Sequence, residues 1–119
     1  AASDVYKRQH GYSNYFFHPT HPHELIIVST ENNKVSILNC LSGEIVRTIS
    51  KGKEYAFCNI DPVTGNYLFR NSYYVLITNE NGDELFRMRS EDASPYLANN
   101  ILTCWAGAAI NVEPYLKKP

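Results

Sequence analysis

The sequence predicts an all-β fold made of repeated four-strand units. Three observations lead there. Nine Tyr, five Phe and one Trp among 119 residues, with many Val and Ile, favour strands. The apolar runs are short and are separated by breaks rich in Asn, Gly and Pro. The pattern from Phe17 to Ile49 also returns from Ile60 to Met88. Pro19 matches Pro62 at a spacing of 43, Ile37 matches Ile77 at 40, and Gly43 matches Gly82 at 39. That drift is the size of loop-length variation.

In the first unit, Tyr12 to Phe17 is an aromatic strand ended by Pro19 and Pro22, since proline removes a ladder donor and fixes its own backbone angle. Leu25 to Thr30 is apolar on both faces, which suits a strand covered on two sides. Glu31, Asn32 and Asn33 turn the chain, because adjacent Asn residues tolerate left-handed backbone. Lys34 to Asn39 puts Val35 and Ile37 on one face, Ser36 and Leu38 on the other. Leu41, Ser42 and Gly43 turn again into Glu44 to Ser50, whose Arg47 and Thr48 mark a wetter outer strand.

The second unit repeats the order. Tyr55 to Ile60 is a strand ended by Asp61 and Pro62. Thr64 and Gly65 turn into Asn66 to Arg70, and Asn71 and Ser72 turn into Tyr73 to Asn79. Asn81 and Gly82 are a hairpin signal before Glu84 to Arg89. There Phe86 and Met88 face one way, Leu85, Arg87 and Arg89 the other. A shorter third unit follows the polar linker Ser90 to Ser94. Tyr96 to Ala98 is a stunted strand, and Ile101 to Trp105 and Ala108 to Val112 are two more, joined at Gly107. A helix over Asn99 to Ala109 is the alternative, since Leu and Ala favour helix. The preceding units make strands the better reading. The organisation expected is a terminus over 1–9, units over 10–50 and 51–89, and a partial unit over 90–119.

Four strands in about forty residues is the signature of a β-propeller blade. Phe17-His18-Pro19, the run Leu25 to Ser29, the run Lys34 to Asn39 and Ser42-Gly43-Glu44 stand where a WD40-type blade places its features, so residues 11–112 resemble WD40-type repeats. They are similar also to YVTN-type bacterial propellers. The Trp-Asp pair of WD40 blades is replaced by Asn39-Cys40 and Thr78-Asn79. The Gly-His pair is absent, and the start reads His10-Gly11. The resemblance implies an incomplete propeller of antiparallel four-stranded blades, a fragment needing further blades of its own chain. It implies a non-catalytic scaffold for protein or peptide partners. Two alternatives are a ligand-binding or enzymatic periplasmic or secreted propeller, lactonase-like or quinoprotein-like, and a small stand-alone β-sandwich of two sheets packed face to face.

Composition narrows the function classes. A net charge of −1 argues against a nucleic-acid partner, which selects for a basic face. No apolar run is long enough to span a membrane. Cys40, Cys58 and Cys104 are an odd number at spacings of 18 and 46, so no disulfide framework or CxxC pair is expected. Their usage leans toward a reducing, cytoplasmic setting. Ser3 to Gln9, SDVYKRQ, resembles a translated sequencing-linker fragment from environmental assemblies. Without it the net charge becomes −2, since Asp4, Lys7 and Arg8 go, and the remainder is expected to be a fragment.

No catalytic signature stands out, and no cofactor is expected. His18, His21 and His23 form a cluster on a proline-stiffened segment whose imidazoles could gather zinc or copper. Its place between two strands, and the lack of a supporting ligand group elsewhere, make an ordinary loop the expectation. Glu31, Glu44, Asp61, Glu80, Asp83, Glu84, Glu91 and Asp92 sit mostly at turns, where Asp and Asn stabilise the bend. Tyr73, Tyr74, Tyr96 and Trp105 could line a binding surface or fill space between sheets.

Overall fold

The computed structural model describes residues 13–30, 32–51, 54–91, 94–104 and 107–118. The linker-like segment Ser3 to Gln9, His10-Gly11, Tyr12, Glu31, Asp92 and Trp105 lie outside them. The chain divides into two compact units, Ala1–Lys53 and Glu54–Pro119.

The first unit carries one antiparallel sheet in the order β1 (Ser13–Phe17), β2 (Glu24–Ser29), β3 (Val35–Asn39) and β4 (Ile45–Ile49). Each strand follows its predecessor through a short turn, so the sheet is a meander. The register runs Phe17 opposite Leu25, Ile26 opposite Ile37, and Ile37 opposite Arg47. The central strands are covered on both faces: Ile26, Val35 and Ile37 on one side, Ile27 and Leu38 on the other, all at 2% exposure or less. That is why both strands read as unbroken apolar runs. β4 is an edge strand with four of its five residues at least partly exposed, as its Arg and Thr suggest.

The second unit carries two sheets. One holds β5 (Ala56–Ile60), β6 (Tyr67–Arg70), β7 (Tyr74–Thr78) and β8 (Glu84–Arg89), in that order. The other holds β9 (Tyr96–Ala98), β10 (Ile101–Thr103) and β11 (Ala109–Asn111), with β10 central. A single turn of 3-10 helix, Glu113–Tyr115, follows with Pro114 in its first turn. Leu68, Val75 and Ile77 of the four-stranded sheet meet Leu97, Leu102 and Val112, and all six are fully buried. Phe86 and Met88 pack against them as their alternation predicts. Each such side chain contributes about 1.5–3 kcal/mol of transfer free energy. The other face of the four-stranded sheet buries Tyr67, Phe69 and Leu76.

The propeller expectation, and the WD40 resemblance with it, is overturned. The described residues form three separate antiparallel sheets of four, four and three strands, and none of these closes or curls. The scaffold reading and the need for further blades rested on that architecture and fall with it. Residues 54–118 fit the β-sandwich alternative better: two sheets face to face around one core. The physical reason lies in what a forty-residue repeat reports. Short hairpins recur wherever Asn and Gly turns recur, and here they do. Asn39 Oδ1 accepts the Leu41 and Ser42 N–H groups after β3. Asn79 Oδ1 accepts those of Asn81 and Asp83 after β7. Such a repeat fixes the spacing of a meander, not the way one sheet meets the next.

The strand reading of the third unit is the correct one. Asn99 (φ 50°) and Asn100 (φ 61°) make the two-residue hairpin between β9 and β10, since Asn tolerates left-handed backbone. A helix could not pass through two such residues.

Candidate functional site

The histidine-rich connection between β1 and β2 brings several polar side chains together. β1 ends at Phe17, and the loop is closed by the His18 N–H donating to the Glu24 carbonyl (3.3 Å) and the Glu24 N–H donating to the His21 carbonyl (3.0 Å). The His18 side chain is buried, and its Nδ1 accepts the N–H groups of Thr20 and His21, each at 3.2 Å. The Thr20 hydroxyl lies 3.2 Å from the same nitrogen. The His21 ring tilts against that of His18, with centroids 4.4 Å apart.

Glu24 opens β2 and pairs with Asn39 in the ladder. Arg47 lies across β3 on the same face, and its Nη2 donates to Glu24 Oε1 at 2.8 Å. Both side chains are about three-quarters covered, so the pair is only partly screened by water. Arg47 thereby orients the Glu24 carboxylate and leaves Oε2 for another partner. One donor atom each from His18, His21 and Glu24 lies within 4.8 Å of the others. Beside them a shallow open pocket of about 260 Å³ is lined by His21, Pro22, His23, Glu24 and Asn39. The His23 carbonyl accepts the Cys40 N–H at 2.9 Å, which ties this stretch to the end of β3.

Of the predicted trio, His18 and His21 come together, and His23 stands on the pocket wall instead. Glu24 and Arg47 were not singled out by the sequence. The signal available for Glu24 was its place right after the last histidine. For Arg47 it was a basic residue on an outer strand. Neither points to the other without the register of β2, β3 and β4.

A second polar cluster lies in the other unit. Asp61 follows β5 and is fully buried. Its Oδ1 accepts the N–H groups of Val63 (2.9 Å), Thr64 (3.3 Å) and Asn99 (2.8 Å), and its Oδ2 that of Asn100 (2.9 Å). Burial alone raises the carboxyl. The four backbone donors together outweigh it and hold the group below its ordinary value. Asn59 works beside it. Its Nδ2 donates to the Leu97 carbonyl (2.9 Å) and its Oδ1 accepts the Leu97 N–H (3.2 Å), so a side-chain amide stands in for a strand neighbour. Asp61 was read only as a turn residue. An Asn within a strand, where Asn is depleted, was the one hint of Asn59.

The remaining candidates are dispersed. Tyr73 and Tyr96 are about half exposed, while Tyr74 is partly buried beneath Arg87. Glu84 is held by Arg87 at 2.7 Å and by Lys117 at 3.6 Å. Burial pushes the Cys58 thiol up to about 12, with the positive charge of Arg70 opposing, so it stays protonated and unreactive. Among the described residues no helix is long and apolar enough to cross a membrane.

Comparison with protein-family models, with curated proteins and with solved structures finds no match to this chain.

Proposed function

We propose that the loop of residues 18–24 binds a divalent transition-metal ion of the zinc class, with His21 and Glu24 as ligands. The observation that carries the reading is that donor atoms of His21 and Glu24 lie within 4.8 Å of each other on a short loop stiffened by Pro19 and Pro22, on the wall of an open pocket. Imidazole nitrogen and carboxylate oxygen are the donors such ions prefer. Tetrahedral zinc with bonds near 2.0–2.1 Å sets its ligand atoms roughly 3.4 Å apart, so the His21–Glu24 pair has to close by no more than about 1.5 Å. Rotamer changes supply that distance. Arg47 supports the site by holding one Glu24 oxygen, the role outer-shell partners play around metal-bound carboxylates.

Calorimetric titration of the protein with zinc tests the reading. One equivalent is expected to bind, and His21→Ala or Glu24→Gln is expected to weaken binding at least about tenfold. A wild-type protein that gives no zinc heat, or variants that bind as the wild type does, would remove it.

A further inference from the structure

We infer that the third ligand of this ion is the exposed His23, and that the buried His18 is a turn cap outside the coordination sphere. The inference rests on the metal-binding reading above and concerns only which side chains complete the site. Donor atoms of His18, His21 and Glu24 lie within 4.8 Å of one another, so distance alone would choose His18. The chemistry of its ring argues otherwise. A neutral imidazole has one lone pair, on the nitrogen without a proton. At His18 that nitrogen is Nδ1, because two backbone N–H groups, from Thr20 and His21, are aimed at it. The proton therefore sits on Nε2, which cannot ligate in this tautomer. Metal-bound histidines use the opposite arrangement, with the second nitrogen donating to a carbonyl or carboxylate. Recruiting His18 would place a proton against two donors and open the turn.

The same role is filled elsewhere in the chain by a carboxylate whose two oxygens accept four backbone N–H groups. Asp61 also follows the first strand of a four-stranded meander and precedes a proline. It accepts the N–H groups two and three residues on, Val63 and Thr64, just as His18 accepts those of Thr20 and His21. His18 is the counterpart of a structural Asp.

His23 has the opposite properties. Its side chain is exposed, and it lines the pocket together with His21 and Glu24, whereas His18 does not. Its main chain is anchored by the Cys40 N–H, so its ring can rotate without moving the loop. His21, His23 and Glu24 then form a two-histidine, one-carboxylate set on the wall of a pocket open to solvent. Three protein ligands leave a position for water or an exogenous anion, with Asn39 on the pocket wall beside it.

Two measurements on the whole chain test this. The first is zinc titration of His18→Asn, whose carboxamide oxygen can cap the same two N–H groups, beside His23→Ala. His18→Asn is expected to bind zinc as the wild type does, and His23→Ala at least about tenfold more weakly. The second is long-range proton–nitrogen NMR of the wild-type imidazoles. His18 is expected to keep its Nε2–H signature when zinc is added, while the ring nitrogens of His21 and His23 shift. The NMR result stands even if His18→Asn does not fold. Loss of binding in a folded His18→Asn, unaltered binding in His23→Ala, or a zinc-induced shift at His18 would overturn the inference and leave the metal-binding reading in place. Absence of zinc binding by the wild type would remove both.

Discussion

His18 and Asp61 occupy the same place in two sheets. Each follows the first strand of a four-stranded meander, each precedes a proline, and each caps the N–H groups two and three residues ahead. The turns agree, yet the two residues have different surroundings. A carboxylate has two oxygens and room for several donors. Asp61 uses that capacity to reach Asn99 and Asn100, closing the gap between the two sheets of its unit. An imidazole has a single acceptor once its proton is placed. His18 Nδ1 spends it on the N–H groups of its own turn. One local device thus serves as an inter-sheet clamp in the second unit. In the first it leaves the neighbouring His21, His23 and Glu24 beside an open pocket. A polar group whose hydrogen-bonding capacity is filled by the backbone is structural.

The comparison breaks most readily at Asp61. Asp61→Ala leaves four backbone N–H groups without their acceptor in a buried place, and is expected to destabilise the second unit by about 3–5 kcal/mol. Denaturant unfolding, with amide exchange at Leu97 and Leu102 to localise the loss, measures it. A change below about 1 kcal/mol would mean that the clamp contributes little beyond the turn.

A pH series sharpens the same point with a smaller effect. The Asp61 carboxyl is held below its ordinary value of 3.8 in the folded chain and returns to that value on unfolding. Between the two values the unfolded state binds more protons, so stability must fall as pH falls. The contribution is fully present above about pH 4–5 and is lost as pH drops through the folded value. Replacing Asp61 with Asn should flatten this part of the stability profile, since the group no longer titrates. An unchanged acid slope in Asp61→Asn would assign the acid sensitivity to other carboxylates.

The smallest effect belongs to His18. Loss of a side-chain cap at a turn costs about 1 kcal/mol, so His18→Ala is expected to destabilise by that order. His18→Asp, which copies the second unit's residue at this place, should retain the wild-type midpoint in thermal unfolding. If Asp is as damaging as Ala, the two turns are not equivalent.

The local half of this arrangement was legible in the sequence. Alternation and β-branched content placed all eight strands of the two meanders close to where they lie. The proline pair at a spacing of 43 placed the two turns. Asn and Gly located the hairpins, because left-handed backbone is a property of the residue itself. The histidine segment was visible as a cluster, but its composition changed on folding. Glu24 joined through its register with Asn39, and His23 separated from His18 onto the pocket wall. The bonds from Asp61 to Asn99 and Asn100 join residues 38 and 39 apart, and no periodicity encodes such a pairing.

By itself, then, the sequence determined an all-β chain, its strands, its turns and the meander order within each sheet. All of these follow from interactions among residues a few positions apart. Only the tertiary structure decided that three open sheets stand where a ring of blades was expected, and that two of them share one core. It also decided that of two equivalent caps one is a clamp and the other borders a pocket. Those outcomes depend on which faces meet and on which donors a side chain finds across the fold. The same hairpin code is compatible with more than one such arrangement.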